Sequence, residues 1–449
     1  MSIFQACDIR GIAGQDLTDG MVRNIALAVG VKLAGQEVVV GGDIRLSTPG
    51  FQRIVANALA GSGCRVYDIG TVATPVFYYA LKRTGAAGGV MITASHNPAP
   101  YNGLKLVLGP EPVTEEDIAG IERLTAANAA VRGEGEIICL DLVEEYIRFT
   151  AALAQGDGLR VVVDAGNGAT ARIAPRLFRQ AGYDVVELYC TPDGNFPNRP
   201  PNPALAENLA ALGAKVREHK AALGVAFDGD GDRVGAVDET GRPVANDDIL
   251  VLISRQYLAQ GPGTVIYDAK CSMVVPEEIA KAGGRAVMAR AGHTFSKAAF
   301  RRENAVFAGE ISGHFFFREL GYDDGMFAGL KIAQIAAAEG SLAVLAGSVP
   351  NYLLTPDIRV PYPGKDKEAI LAAAAERLAA YRPNRIDGVR IEFADGWGMI
   401  RASVTEPLFT LRFEAKTQGR LAEIETLLLE ALPPEVAAGV RAKMQQPAG

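Results

Sequence analysis

The sequence has few of the features that mark membrane, secreted or nucleic-acid-binding proteins. No apolar run approaches the ~18 residues that a membrane-spanning helix needs. The N-terminal stretch carries Asp8 and no apolar core, so we expect no secretory signal peptide. Asp and Glu outnumber Lys and Arg by 52 to 45, and a net charge of −7 leaves no basic footprint for nucleic acid. We therefore expect a cytoplasmic protein without membrane or nucleic-acid partners, in which any anionic substrate is held by locally clustered cations.

Cysteine is also scarce. The five cysteines lie far apart and form no C-x-x-C pair: Cys7, Cys64, Cys139, Cys190 and Cys271. This spacing predicts reduced thiols, so stability must come from hydrophobic cores. The 449 residues are 49% apolar and 22% charged, a composition typical of a globular protein with several domains.

Three segments of the chain repeat one pattern. A short β-branched run ends in an acidic residue and is followed by a helical stretch, glycine and a second strand-like run. The acidic residues are Asp43, Asp164 and Asp268. This order is typical of βαβ units on a parallel or mixed sheet. Three copies about a hundred residues apart predict three related α/β domains with mixed sheets.

The last hundred residues follow a different pattern. An Ala-rich helix is predicted over 367–381, strands over 398–403 and 409–415, and a second helix over 421–432. They indicate a C-terminal α+β domain after the three α/β domains. The predicted domains are 1–140, 141–240, 241–352 and 353–449.

The strongest motif is Asp228-Gly229-Asp230-Gly231-Asp232-Arg233. Alternate residues of an extended segment point the same way, so the three carboxylates can converge on one hard cation. Without a cation they would repel one another. A plain polar turn is one alternative and an EF-hand loop is another. Arg233 occupies the position where an EF-hand needs glycine, and strand-like residues flank the motif, so we expect a metal site of another kind.

A second motif, Thr93-Ala94-Ser95-His96-Asn97-Pro98, follows a strand-like run and precedes Tyr101-Asn102-Gly103-Leu104-Lys105. Ser95 thus lies at the end of a strand, where α/β folds place their chemistry. By itself the motif is better explained as a helix N-cap serine with a Pro-containing turn.

Two further polar clusters lie between strand-like runs. In Glu310-Ile311-Ser312-Gly313-His314 the side chains suit recognition of a vicinal diol. In Arg401-Ala402-Ser403-Val404-Thr405 an Arg with hydroxyls and loop N–H groups suits a phosphate. Either cluster alone is also explained as an ordinary turn.

Together these stretches resemble the α-D-phosphohexomutase superfamily, and most closely its phosphomannomutase/phosphoglucomutase branch. The resemblance runs from Asp8-Ile9-Arg10-Gly11 to the Arg401 loop, with the motifs in the expected order. It implies four domains around a central active-site cleft. It also implies interconversion of hexose 1- and 6-phosphates of mannose or glucose, through a phosphoserine and a hexose 1,6-bisphosphate intermediate.

The resemblance also assigns roles to residues. Ser95 is implied as the phosphoserine, and its phosphate with three carboxylates as the ligands of one Mg²⁺: Asp228, Asp230 and Asp232. The implied transfer-site residues are Arg10, His96, Lys105, Arg233 and His314, the last as a proton-transfer partner. The implied substrate contacts are Lys270, His293, Glu310, Ser312, Arg401, Ser403 and Thr405. Since the bisphosphate must turn over, the resemblance also implies a mobile last domain.

This chain departs from the family pattern in a few places. Cys7 stands where tyrosine is usual and Val404 where asparagine is common, while Gly42 and Arg199 also differ. None touches the nucleophile or the carboxylates. The nearest rival function is phosphoglucosamine mutase, whose sugar loop typically has glutamine at the position of Ile311. Rivals of other classes are a metal-dependent sugar phosphatase and a non-catalytic sugar-phosphate binding protein. The sequence leaves the oligomeric state open.

Overall fold

The computed structural model describes residues 2–364, 366–403 and 407–444. In this part of the chain, four sheets form the centres of four domains. The first three domains are α/β and the fourth is α+β, which confirms the predicted fold class.

The first domain contains a six-stranded mixed sheet of order β1-β5-β4-β2-β3-β6. Its elements are β1 (Ile9–Ile12), α1 (Asp19–Leu33), β2 (Glu37–Gly42), α2 (Thr48–Gly61), β3 (Arg65–Thr71), α3 (Thr74–Thr84), β4 (Gly88–Ile92), β5 (Tyr101–Val107), α4 (Glu115–Ala126) and β6 (Glu136–Cys139). Val38 and Val40 of β2 face one hydrophobic core and Val39 faces another. A strand buried on both faces reads as a continuous apolar run, which explains the Val-Val-Val sequence.

The second domain has a five-stranded sheet of order β11-β10-β9-β7-β8. Its elements are α5 (Val143–Leu153), β7 (Arg160–Asp164), α6 (Ala174–Gln180), β8 (Asp184–Leu188), a 3-10 helix (Ala206–Leu209), α7 (Ala210–His219), β9 (Leu223–Phe227), β10 (Val234–Asp238) and β11 (Pro243–Val244).

The third domain has a four-stranded sheet of order β13-β12-β14-β15. Its elements are α8 (Asn246–Leu258), β12 (Thr264–Asp268), α9 (Val274–Lys281), β13 (Arg285–Ala289), α10 (His293–Arg302), β14 (Phe307–Gly309), β15 (Phe315–Phe317), α11 (Gly325–Glu339) and α12 (Leu342–Gly347).

The three α/β domains share one arrangement. A central strand (β2, β7 or β12) pairs in parallel with two neighbours. One neighbour then returns as an antiparallel hairpin: β4–β5, β9–β10 and β14–β15. The turns of these hairpins are residues 93–100, 228–233 and 310–314. The serine, carboxylate and sugar motifs therefore occupy equivalent places in three related domains.

The fourth domain is an antiparallel sheet of order β16-β20-β19-β18, with β17 also paired to β20. Its elements are β16 (Leu353–Leu354), β17 (Ile358–Pro361), α13 (Lys367–Arg377), a 3-10 helix (Ala379–Tyr381), β18 (Val389–Phe393), β19 (Gly396–Ala402), β20 (Leu408–Ala415), α14 (Gln418–Glu430) and α15 (Pro434–Met444).

The hydrophobic cores join the domains unequally. One core runs through the first three domains, from Val39 through Phe227 to Phe307, whereas the fourth domain has its own core. A small cluster that includes Ala269 and Trp397 packs the third domain against the fourth. All five cysteines are free, and none of the described helices is long and apolar enough to cross a membrane.

Candidate active site

The loop that carries Ser95 is held by a buried arginine. Ser95 is fully buried and its φ of +49° lies in the left-handed region that residues other than glycine rarely adopt. The Arg45 guanidinium donates hydrogen bonds to four backbone oxygens of this segment: Ser95 (2.7 Å), Asn97 (2.7 Å), Pro98 (2.8 Å) and Tyr101 (2.9 Å). Asp43, at the end of β2, pairs with Arg45 at 3.1 Å. The unusual backbone at Ser95 is thus supported by a buried ion pair.

The turn between β9 and β10 gathers three buried carboxylates. Oxygens of Asp228, Asp230 and Asp232 lie within 4.8 Å of one another. Oδ1 of Asp230 and Oδ1 of Asp232 are buried, and neither has a hydrogen-bond partner in the described chain. Orphaned buried oxygens from hard ligands fit a divalent cation such as Mg²⁺. Strands flank this turn, which excludes the EF-hand alternative.

The loops of the first two domains meet directly. The Ser95 hydroxyl donates to Asp228 Oδ2 at 2.7 Å. Lys105 Nζ donates to Asp230 Oδ2 at 2.8 Å and also to Asp232 Oδ2. Thr74 at the start of α3 donates to Asp230 Oδ2 at 2.7 Å. The predicted nucleophile and the predicted metal ligands therefore form one cluster.

Charge and burial set the pKa values in this cluster. Burial raises the pKa of Asp228 well above its usual range, and the neighbouring Asp230 adds to the rise. Burial also acts to raise the pKa of Asp230, but Lys105 outweighs it and lowers that pKa. Burial acts to lower the pKa of Lys105, but Asp230 and Asp232 outweigh it and raise that pKa well above its usual value. In this arrangement the carboxylates therefore hold Lys105 as a cation.

His314 has a defined tautomer. Its Nε2 accepts a hydrogen bond from Arg233 Nε at 2.8 Å, and its Nδ1 lies 2.9 Å from Asp323 Oδ2. Arginine can only donate, so Nε2 carries no proton and we assign the ring proton to Nδ1, facing Asp323. Burial lowers the pKa of His314 to about 3, which also favours the neutral ring. The basic nitrogen of His314 is thus Nε2, covered by Arg233.

Two further histidines line the same cluster. The His293 ring stacks on His314 with 5.4 Å between ring centroids. His96 Nδ1 lies 3.4 Å from the Ser95 hydroxyl. Burial lowers the pKa of both His96 and His293 well below the usual value, so both rings are neutral at pH 7.

The first strand and the residues before it connect the serine loop to the third domain. Arg10 donates to Asn97 Oδ1 at 2.7 Å. Cys7, at the position where the resemblance expects tyrosine, accepts a hydrogen bond from Thr294 Oγ1 at 2.9 Å. Burial raises the pKa of the Cys7 thiol to about 11. Cys7 therefore has a polar contact with the third domain.

The sugar motif forms the third hairpin turn. Glu310 is buried, and its Oε2 accepts from the Ser312 hydroxyl at 2.8 Å. Its Oε1 has no hydrogen-bond partner within the described residues. Asp268, at the end of β12, accepts the Ile311 N–H at 2.9 Å, and the Ile311 side chain packs against the shared core. The loop thus presents Glu310 and Ser312, and Ile311 anchors it.

The remaining predicted contacts lie on the side of the fourth domain. Lys270 pairs with Asp357 at 2.6 Å, and Arg401 pairs with Asp387 at 2.8 Å. Asp387 also accepts the backbone N–H of Ala291 at 3.2 Å, close to His293. Ser403 lies directly after β19 and is buried. Thr405 and Val404 lie outside the described residues.

Several residues of the site were not predicted from the sequence. Arg45, Thr74, Asp323 and Asp387 each hold a predicted residue in place, but none lies in a recognisable motif. The one available signal was Asp43, which the repeat pattern marked as a strand end.

Family models of phosphoglucomutase/phosphomannomutase match the chain in order: alpha/beta/alpha domain I at residues 1–132, domain II at 140–241, domain III at 245–352 and the C-terminal domain at 358–431. The chain belongs to the phosphoglucomutase/phosphomannomutase family. The resemblance inferred from the motifs is thereby confirmed.

Relatives match nearly the whole chain. The phosphomannomutase/phosphoglucomutase of Pseudomonas aeruginosa PAO1 is 39% identical over 442 residues, which cover 96% of this chain and 95% of that protein. The phosphoglucomutase of Neisseria gonorrhoeae is 37% identical over 94% of this chain and 95% of its own length. The crystal structure of a phosphoglucomutase/phosphomannomutase family protein from Burkholderia thailandensis has a TM-score of 0.89 at 34% identity. It covers 100% of this chain and 98% of that chain.

Proposed function

We propose that this phosphohexomutase interconverts the 1- and 6-phosphates of mannose or glucose through a phosphoserine at Ser95. The supporting observation is the 2.7 Å contact between the Ser95 hydroxyl and Asp228 at the edge of the carboxylate cluster. In the first step the Ser95 O–P bond breaks, a sugar hydroxyl oxygen takes the phosphoryl group, and the hydroxyl proton passes to a base. The resulting hexose 1,6-bisphosphate turns over and returns its other phosphate to Ser95.

The carboxylate cluster and the Ser95 phosphate together would hold one Mg²⁺. When bound, this ion supplies positive charge that stabilises the transferring phosphoryl group and the departing seryl oxygen. Lys105, Arg10 and Arg233 surround the same point and contribute further charge. The orphaned oxygens of Asp230 and Asp232 support this assignment.

His314 is the proposed base. Its Nε2 is unprotonated and its Nδ1 proton is held toward Asp323. Burial and Arg233 both act to lower the pKa of His314. An arriving phosphate would draw Arg233 away from Nε2 and add negative charge beside it, so that this nitrogen can accept the proton of the sugar hydroxyl. Lys105 is held as a cation, so its proposed role is charge stabilisation or proton donation.

Sugar recognition is assigned to the third and fourth domains. Glu310 Oε1 and the Ser312 hydroxyl oxygen can pair with sugar hydroxyls, because Oε1 has no partner in the described chain and the Ser312 oxygen, whose proton goes to Oε2, keeps acceptor capacity. Lys270 and His293 would add contacts from the third domain. Arg401, Ser403 and Thr405 would hold the phosphate that is not reacting, which requires Arg401 to exchange Asp387 for the ligand.

We expect the choice of sugar to depend on polar groups such as Glu310 and Ser312 rather than on Ile311. Because the Ile311 side chain packs against the core, it is a weaker argument against a glucosamine substrate than its sequence position suggested. The names of the relatives at 37–39% identity favour mannose and glucose.

A substrate panel tests the proposal. The protein with Mg²⁺ and a trace of glucose 1,6-bisphosphate would be offered glucose, mannose, glucosamine and N-acetylglucosamine 1-phosphates. Conversion of the glucose and mannose compounds, abolished in Ser95→Ala, is the expected result. Ser254→Ala is the matched control, because this buried hydroxyl lacks a hydrogen-bond partner in the described structure. Conversion of amino sugars alone would point to a glucosamine mutase, and phosphate release without isomerised product to a phosphatase.

A further inference from the structure

A cavity lies between the first and third domains. Its volume is about 390 Å³, within the range of small-molecule sites. Lys105 and His293 line one side of it, but Ser95, the three aspartates and Glu310 do not. The cavity therefore adjoins the candidate active site without being part of the phosphoryl-transfer point.

The cavity lining is rich in positive charge. Lys82 reaches it from α3, and Lys297 and Arg301 reach it from α10. Residues four apart on a helix lie on the same face, so Lys297 and Arg301 face the cavity together. Glu111 is the single acidic residue in the lining, and its side chain is exposed. Phe77, Leu81 and Val113 give part of the wall an apolar surface.

Lys297 is the unusual group in this cavity. Its Nζ lies 4.3 Å from the centroid of the Tyr78 ring, and no hydrogen bond or ion pair joins it to any residue that the structure describes. Burial lowers the pKa of Lys297, Asp323 acts to raise it and Arg301 acts to lower it, and together they bring that pKa to about 8. An ammonium group with three unused donors in a poorly solvated place is costly unless an anion accepts them.

We propose that this cavity binds a small phosphate ester, with the phosphate between Lys297 and Arg301 and the organic part against the apolar wall. Lys297 supplies an ammonium without a protein partner, and the exposed Arg301 supplies a planar fork that suits phosphate oxygens. Lys82 is anchored by the backbone oxygens of Glu319 and Leu320 and adds charge from the opposite domain.

Pyridoxal 5′-phosphate is a suitable probe, because it carries both a phosphate ester and an aldehyde. With the phosphate of the probe on Arg301, the aldehyde condenses with the unprotonated amine of Lys297 and loses water, and borohydride reduces the imine to a stable secondary amine. Peptide mapping then locates the label. We expect Lys297 to be labelled ahead of Lys82 and Lys270, and millimolar inorganic phosphate to slow its labelling.

Three comparisons separate a phosphate site from a merely reactive amine. Pyridoxal, which lacks the phosphate, should label Lys297 about tenfold more slowly. Arg301→Met should slow labelling by pyridoxal 5′-phosphate to a similar extent, whereas Arg302→Met, whose side chain pairs with Glu303 outside the cavity, should not. Ser95→Ala should label like the unmodified protein.

The outcomes are distinguishable. Equal labelling by pyridoxal and pyridoxal 5′-phosphate would overturn the proposal, and so would the absence of label at Lys297. An unchanged rate in Arg301→Met would also overturn it. Because Arg301 is exposed, this variant is expected to fold, and its thermal unfolding midpoint checks that.

Discussion

Replacing Arg45 by Met should damage the nucleophile loop without touching the substrate. The change removes hydrogen bonds to four backbone oxygens and leaves Asp43 buried without its ion-pair partner. Breaking a buried pair by removing one partner costs about 3–5 kcal/mol of unfolding free energy. The cost falls in the segment that holds Ser95 in its left-handed conformation.

The same replacement should also lower the catalytic rate. A displacement of a reacting group by about 1 Å costs ~10²-fold in rate, so we expect kcat to fall about that far while KM changes little. Arg45→Lys should be intermediate, because one ammonium cannot serve four carbonyl oxygens and a carboxylate together. Denaturant unfolding measures the loss of stability, and a coupled assay of the 6-phosphate product measures kcat and KM. Mass spectrometry measures how much of Ser95 is phosphorylated.

The matched control is Arg65→Met. Arg65 also pairs with carboxylates, Glu37 and Glu136, but on the surface, so little change in stability or rate is expected. If Arg45→Met retained the stability and kcat of the unmodified protein, the inference that Arg45 supports the loop would be refuted.

Three further predictions concern the site itself. Asp230→Asn should lower kcat by about 10²–10³-fold and raise the Mg²⁺ concentration needed for half-maximal activity; an unchanged Mg²⁺ requirement would contradict the metal assignment. Asp323→Asn should lower kcat by about 10²-fold or more, with an altered pH profile, since it disturbs the tautomer of His314; an effect on KM alone would contradict a positioning role. Burial raises the pKa of Glu310 to about 8 in the fold, so stability present below pH 4.5 is lost as the pH rises toward 8. Glu310→Gln should lack that loss, as denaturant unfolding at pH 5 and pH 8.5 would show, and parallel curves would contradict it.

The sequence predicted the parts of the site that are local. Ser95 and the Asp228 turn lie in short motifs at the ends of strands, where chain neighbours already place the functional groups together. Asp323 could not be found in this way, because its partner His314 lies nine residues earlier in the chain and nothing in the sequence between them indicates the contact. Arg45 was equally hidden, since its hydrogen bonds go to backbone oxygens about fifty residues away.

The domain pattern could be predicted for a similar reason. Each βαβ repeat consists of consecutive residues and can be recognised from the local sequence pattern. Contacts between domains join residues far apart in the chain and leave no such pattern. The ion pairs of Lys270 with Asp357 and of Arg401 with Asp387 therefore emerged only from the structure. Both connect a predicted substrate group to an acidic partner.

The hydrophobic core shared by the first three domains has a consequence for inhibition. Strands β4, β9 and β14, which lead into the turns of Ser95, the carboxylates and Glu310, all contribute to this core. In the proposed function the phosphoryl group is therefore passed in either direction at one fixed point. A compound that occupies this point must slow conversion of the 1-phosphate and of the 6-phosphate alike.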